Sequence, residues 1–148
     1  MRGPAPATYN LIETITARGQ LSRMIKRSKL AALKFGERAE TLAVLLLRLK
    51  GYSILERRFA AASGGRGEID IIAKRGSVIA FIEVKARADL DQAAYALSVH
   101  QRQRLLRGAE AYLAGRPRLA HLSPRFDAWL AAPGRWPRHL IDAWRAEP

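Results

Sequence analysis

Two apolar runs joined by a tight turn set the centre of the fold: Glu68-Ile69-Asp70-Ile71-Ile72-Ala73-Lys74, then Arg75-Gly76, then Ser77-Val78-Ile79-Ala80-Phe81-Ile82-Glu83-Val84-Lys85. Runs rich in β-branched and aromatic residues on either side of a glycine turn predict an antiparallel hairpin of strands Glu68–Lys74 and Ser77–Lys85. Strand side chains alternate between faces, so Glu83 and Lys85 point the same way. With Arg75-Gly76 as the loop, Lys74 pairs with Ser77 and Asp70 falls opposite Phe81. Asp70 then shares the face of Glu83 and lies diagonal to it, while Glu68 falls opposite Glu83. Two or three carboxylates and one ammonium converge on a single sheet face.

Helices are expected to flank this hairpin. Leu42, Leu45, Leu46 and Leu49 follow the i, i+3, i+4, i+7 rule within a helix Phe35–Lys50, which Gly51 stops. A strand Ser53–Phe59 follows, then a Gly-rich connector from Ser63 to Gly67. Beyond the hairpin, Asp89–Leu97 reads as a loop or a short helical turn. Ser98-Val99-His100-Gln101 has the pattern of a capping box, in which Ser98 and Gln101 satisfy each other's backbone amides. The helix it opens carries Leu105, Leu106, Ala109, Tyr112 and Leu113 on one face and ends at Gly115 and Pro117. Two last strands, Arg125–Ala131 and Arg138–Trp144, are separated by Pro133-Gly134. The order α-β-β-β-α-β-β describes a mixed α/β domain with helices packed on a central sheet. Met1–Gln20 reads as a loose arm and Leu21–Leu33 as a helical piece, which makes residues 1–34 a basic extension and 35–148 the domain proper.

Composition narrows the function. Among 148 residues, 26 Lys and Arg face 13 Asp and Glu, a net charge of +13. An excess of that size attracts polyanions through phosphate neutralisation, so nucleic acid is the expected partner. The longest apolar run, Leu42–Leu47, is far short of the ~20 residues of a membrane span, so no membrane partner is expected. A secretory signal is not expected either, because the basic N-terminus lacks an apolar core and a cleavage site. The absence of cysteine excludes disulfides, thiolate metal sites and a cysteine nucleophile, and suits a cytoplasmic protein.

Two neighbouring carboxylates repel unless a cation neutralises them. A hard divalent ion such as Mg²⁺ takes oxygen ligands of this kind. Asp70 and Glu83 as ligands, with Lys85 placed to orient a water and stabilise phosphoryl charge, form a coherent site for phosphodiester hydrolysis. The same residues also suit a Lys–carboxylate cluster on a solvated sheet face. Glu40, with Ala43, Val44 and Leu47 at i+3, i+4 and i+7, is either an edge residue that reaches solvent or an inward-pointing ligand. Other candidates are weaker. His100, His121 and His139 are too scattered for a zinc triad. The Gly-rich connector lacks the G-K-[ST] of a phosphate loop. Trp129, Trp136 and Trp144 read as core or sheet-edge aromatics.

Gly67-Glu68-Ile69-Asp70-Ile71-Ile72-Ala73 and Phe81-Ile82-Glu83-Val84-Lys85-Ala86-Arg87 closely resemble the signature of the bacterial YraN family. The resemblance runs from about Phe35 to Trp144 and includes Gly36, Glu40, Gly51–Leu55, Arg125-Phe126-Asp127 and His139–Trp144. That family is assigned to the PD-(D/E)xK nuclease superfamily and is similar in fold to archaeal Holliday-junction resolvases. The resemblance therefore implies a restriction-endonuclease-like mixed sheet flanked by helices. It also implies an Mg²⁺- or Mn²⁺-dependent endonuclease acting on DNA, branched or otherwise structured. Carried over, the metal ligands are Asp70, Glu83 and Glu40, and Lys85 assists the water. Arg66, Arg87, Gln101, Arg102 and Arg104 are candidates for touching the nucleic acid. A resolvase-like fold also makes a two-fold homodimer reasonable, since paired cuts need paired sites. Two positions depart from the pattern: Gln101 stands where a lysine is usual, and Arg58 where an asparagine commonly precedes the G-E-I-D loop. The alternative reading is a nucleic-acid-binding module that keeps the nuclease fold without cutting.

Overall fold

The computed structural model describes residues 8–62, 69–95 and 97–145. The chain divides into two compact units, Met1–Phe35 and Gly36–Pro148. The first helix, α1, spans Thr8–Leu49 without interruption. The expected loose arm is thus helical from Thr8 onward, and Met1–Ala7 lie outside the described residues. No proline and only one glycine, Gly19, fall between Thr8 and Phe35, so nothing in the backbone halts the helix there. In the first unit the helix exposes Leu21, Met24, Ile25, Leu30 and Leu33 together with its basic side chains from Arg18 to Lys34.

The second unit is built on a five-stranded sheet in the order β1-β2-β3-β4-β5. The strands are β1 (Ser53–Phe59), β2 (Ile69–Arg75), β3 (Val78–Ala86), β4 (Ser123–Ala131) and β5 (Arg138–Trp144). All neighbours pair antiparallel except β3 and β4, which run parallel. A parallel pair needs a crossover, supplied by α2 (Leu90–Tyr95), α3 (Val99–Ala114) and a 3-10 turn at Pro117–Leu119. Asp89 caps α2 by accepting from the Gln92 amide at 2.7 Å. Ser98 and Gln101 form the expected reciprocal cap of α3, at 3.2 and 3.3 Å.

Each sheet face carries its own core. Ala43, Val44 and Leu47 of α1 pack with Tyr52, Ile71, Ala73, Ala80, Ile82 and Trp129 on one face. On the other, Leu105, Ala109 and Tyr112 of α3 pack with Ile72, Ile79, Phe81, Phe126, Ala128 and Leu130. This corrects the face expected for α1: Leu42, Leu45 and Leu49 are exposed, and the buried stripe is Ala39, Glu40, Ala43, Val44 and Leu47. Leu42, Leu45 and Leu49 form a helical row of their own, but the row that meets the sheet is the one with Ala43, Val44 and Leu47. The tryptophans divide as well, with Trp129 and Trp144 buried but Trp136 77% exposed.

The hairpin register also differs from expectation. Arg75 pairs with Val78, so Gly76 and Ser77 form the loop. Gly76 occupies its first position at φ +58°, a conformation glycine adopts without steric cost. Each β2 residue therefore meets a β3 residue two positions further along than expected. Because the pleat has a period of two, no side chain changes face.

Candidate active site

Asp70, Glu83 and Lys85 lie on the sheet face that carries α3, as their alternation with Ile72 and Phe81 requires. The observed ladder runs Arg75↔Val78 to Ile71↔Ile82, and its next step sets Asp70 directly against Glu83. Glu83 and Lys85 are buried, at 4% and 5% exposure, and Asp70 is half-buried. Lys85 Nζ donates to Glu83 Oε1 at 2.7 Å, and Arg104 of α3 donates to the same oxygen from Nη2 at 3.3 Å. Asp70 Oδ2 accepts from the Val84 amide at 2.7 Å. Among the described residues, Asp70 Oδ1 and Glu83 Oε2 accept no hydrogen bond.

Electrostatics marks Asp70 out. Burial pushes its carboxyl up and the Glu83 charge adds to that. The Val84 amide pulls it back, Glu40 raises it again and Lys85 lowers it, leaving a value of about 7. A carboxyl in that state lacks enough positive charge to stay comfortably ionised.

Glu40 reaches the sheet from the buried face of α1. A carboxylate at 6% exposure must be paired, and β1 provides the partners. Arg57 donates to Oε1 from Nε and Nη2 at 3.2 and 2.9 Å, and Arg58 donates to Oε2 from Nε at 2.9 Å. That carboxylate holds the Arg58 proton above its ordinary range. Arg58 has φ +52°, a left-handed backbone that costs a non-glycine residue roughly 1–3 kcal/mol. In the sequence Arg58 stands out only as a departure from the family pattern, and Arg57 carries no signal of its own. Strand alternation puts consecutive side chains on opposite faces, so nothing in the pattern showed that both would meet Glu40.

Glu40 has both oxygens taken by arginine, while its charge still acts on Asp70. Among the described residues no group of three or more His, Asp or Glu is placed to hold a metal ion. Of the nucleic-acid candidates, Arg104 reaches Glu83, Gln101 is engaged in the helix cap, and Arg87 and Arg102 are exposed. Arg66, Glu68 and the connector around them lie outside the described residues.

A second polar centre sits on the opposite sheet face, beside α1. Asp127, fully buried, accepts from Arg125 Nε and Nη2, both at 2.8 Å, and from the Asp142 amide at 2.9 Å. His139 Nε2 lies 2.8 Å from its Oδ2, and Arg125 also donates to the Tyr52 hydroxyl at 2.7 Å. Burial alone raises an acid, but here the bonds from His139, Arg125 and Asp142 outweigh it and hold Asp127 below the usual range. His139 thus takes Asp127 as its partner.

A mixed sheet flanked by helices, with Asp70 on its second strand and Glu83-Val84-Lys85 on its third, defines a restriction-endonuclease-like α/β domain. The chain belongs to uncharacterised protein family UPF0102, the YraN family of the sequence reading, whose profile matches residues 39–130. It is 52% identical over 122 residues to a UPF0102 protein of Paramagnetospirillum magneticum, covering 82% of this chain and 95% of the relative. A relative from Parvibaculum lavamentivorans is 56% identical over 117 residues, with 78% and 85% covered. One from Methylobacterium nodulans is 52% identical over 122 residues, with 82% and 92% covered. None of these names states an activity.

Proposed function

We propose that the protein is a divalent-metal-dependent endonuclease that hydrolyses phosphodiester bonds of DNA, branched or otherwise structured. The observation that carries this reading is the placement of Asp70 and Glu83 on one sheet face, each next to the Ile71–Ile82 pair, with Lys85 2.7 Å from Glu83 and one oxygen of each acid open among the described residues. Mg²⁺ or Mn²⁺ commonly uses one or two carboxylates and completes its shell with water and phosphate oxygens. Asp70 Oδ1 and Glu83 Oε2 fit that donor set, and Glu40, held by Arg57 and Arg58, would join it through water. When bound, such an ion supplies Lewis-acid stabilisation of charge on a phosphoryl oxygen.

The side chains supply the rest. Lys85, fixed by Glu83, holds a positive charge where an attacking water and a phosphoryl oxygen meet. Arg104, on the same carboxylate, adds a guanidinium that can pass to a phosphate. Asp70, with its carboxyl near 7, would give up its proton as the ion binds, which makes ion binding favour higher pH. The exposed basic residues of α1 from Arg18 to Lys34 suit the DNA backbone. A homodimer would present two such sites to a branched substrate, and the cytoplasm is the compartment this reading assigns.

One observation favours the alternative, a binding module that no longer cuts: Glu83 and Glu40 are already neutralised by Lys85, Arg104, Arg57 and Arg58. Incubation with linear, flapped and four-way DNAs plus Mg²⁺ or Mn²⁺ separates the two readings. The nuclease cuts at least one of them. Lys85→Ala stops cutting while leaving DNA affinity within a few-fold of the parent, because the basic surface is intact. Binding without cutting under every condition leaves the module. In either case affinity falls steeply with salt and depends little on base sequence, since phosphate contacts position a protein without reading sequence. A flat salt dependence in a binding titration contradicts both readings.

A further inference from the structure

Arg57 and Arg58 are consecutive in β1, yet both guanidinium groups meet the same carboxylate, that of Glu40. The left-handed backbone at Arg58 breaks the strand alternation and makes this convergence possible. Strand pairing fixes the location. Arg57 pairs with Ile71 and Phe59 with Ile69, so Arg58 lies across from Asp70, one strand away from Glu83. A latch for Glu40 alone needs only one arginine, because a single guanidinium can satisfy both carboxylate oxygens.

Here two are used, and each is gripped from one side only. Among the described residues Nη1 of Arg57 and both Nη atoms of Arg58 donate to no protein group. The two side chains are 41% and 56% exposed. One carboxylate against two guanidinium groups leaves surplus positive charge, with oriented donors facing solvent, at the rim of the Asp70–Glu83 pair.

We infer that Arg57 and Arg58 form a phosphodiester clamp: Glu40 holds them by their inner edges, and their outer N–H groups take the backbone phosphate of a nucleic acid beside Asp70 and Glu83. What is clamped rests on the nuclease reading above, whereas the anion site itself is a property of β1 and α1. In this account the left-handed backbone at Arg58 is retained because it aims the second arginine. Asparagine or glycine would sit there without strain but without the charge.

The test compares the full-length parent with Arg58→Gly and Arg57→Gln. Thermal midpoints, titrations of a fluorescent duplex DNA over a salt series, and Mg²⁺-dependent cleavage are measured on each. Glycine accepts the backbone at 58 and Arg57 keeps its bonds to Glu40 Oε1, so the strain relieved at 58 offsets the lost bond to Oε2 and Arg58→Gly leaves the midpoint near that of the parent. Its affinity drops roughly tenfold, as for loss of a charge-assisted hydrogen bond. The slope of log affinity against log salt becomes shallower by about 0.9 for the lost contact. Arg57→Gln lowers affinity in the same direction without relieving strain. Parent-like affinity and slope in both variants overturn the clamp, and so does a lowered midpoint with unchanged affinity, which marks a latch for Glu40 only. A parent that binds no duplex overturns it too. Absence of cleavage in the parent, with the binding losses intact, rejects the nuclease reading and leaves the clamp standing.

Discussion

Asp127→Ala is expected to cause the largest loss of stability of any single substitution considered. Asp127 is fully buried and accepts from Arg125, His139 and the Asp142 amide together. Alanine leaves the Arg125 charge, at 21% side-chain exposure, and the His139 ring, at 2%, without their shared partner. Removing one member of a buried ionic cluster costs about 3–5 kcal/mol. The loss should extend to β5, because the Asp142 amide that Asp127 anchors belongs to a left-handed residue, φ +53°, where the ladder shifts between Phe126 and Ala128. A fall in thermal midpoint of about 10 °C or more is expected. Protection of β5 amides in hydrogen exchange should fall first. Because Asp127 titrates below its ordinary range, its contribution is fully present above the unfolded pKa and fades as pH falls through the folded one. Parent and variant should therefore converge in acid. An unchanged midpoint at pH 7 would contradict this account of the cluster.

Asp70→Asn should move stability the other way. The Asp70 carboxyl rises from 3.8 unfolded to about 7 folded, so between those values the native state binds the proton and the unfolded chain does not. Stability then falls as pH rises from about 4 to about 7, and the penalty is fully present above 7. Asparagine keeps an acceptor for the Val84 amide and removes the charge. A gain on the order of 1–3 kcal/mol at pH 8 is expected, shrinking towards zero near pH 4. Millimolar Mg²⁺ or Mn²⁺ should raise the midpoint of the parent, by neutralising the same repulsion, and leave the variant unmoved. Denaturant melts at pH 4 and 8, with and without the ion, test this. A variant less stable than the parent at pH 8 would show that Asp70 is a structural acid.

Much of this was readable in the chain because it depends on short-range periodicity. Alternation put Asp70, Glu83 and Lys85 on one face whichever turn closed the hairpin by an even shift, and the Gly76 loop made such a shift. The Ser98–Gln101 cap is a four-residue pattern and appears as written. Glu40 stood out because its i+3, i+4 and i+7 neighbours are apolar, although the leucines at 42, 45 and 49 pointed to the wrong face of the same helix. What stayed hidden is long-range or conformational. Arg125 meets Tyr52 across 73 positions and Asp127 meets His139 across 12, distances that no periodicity spans. The convergence of Arg57 and Arg58 depends on one backbone angle at a residue type that rarely adopts it. The full extent of α1 was missed because an exposed helix has no buried stripe to betray it.

The central claim is that Asp70 and Glu83 cooperate in metal-dependent cleavage, and one comparison addresses it most directly. Parent and Asp70→Asn, prepared side by side, are incubated with the same four-way DNA junction and Mn²⁺, and the initial rate of strand cleavage is measured. The account predicts cleavage by the parent alone, with the variant slower by at least about 10³-fold because a ligand charge is lost where phosphoryl charge must be stabilised, while both bind the junction with similar affinity. Equal rates from the two proteins would contradict it.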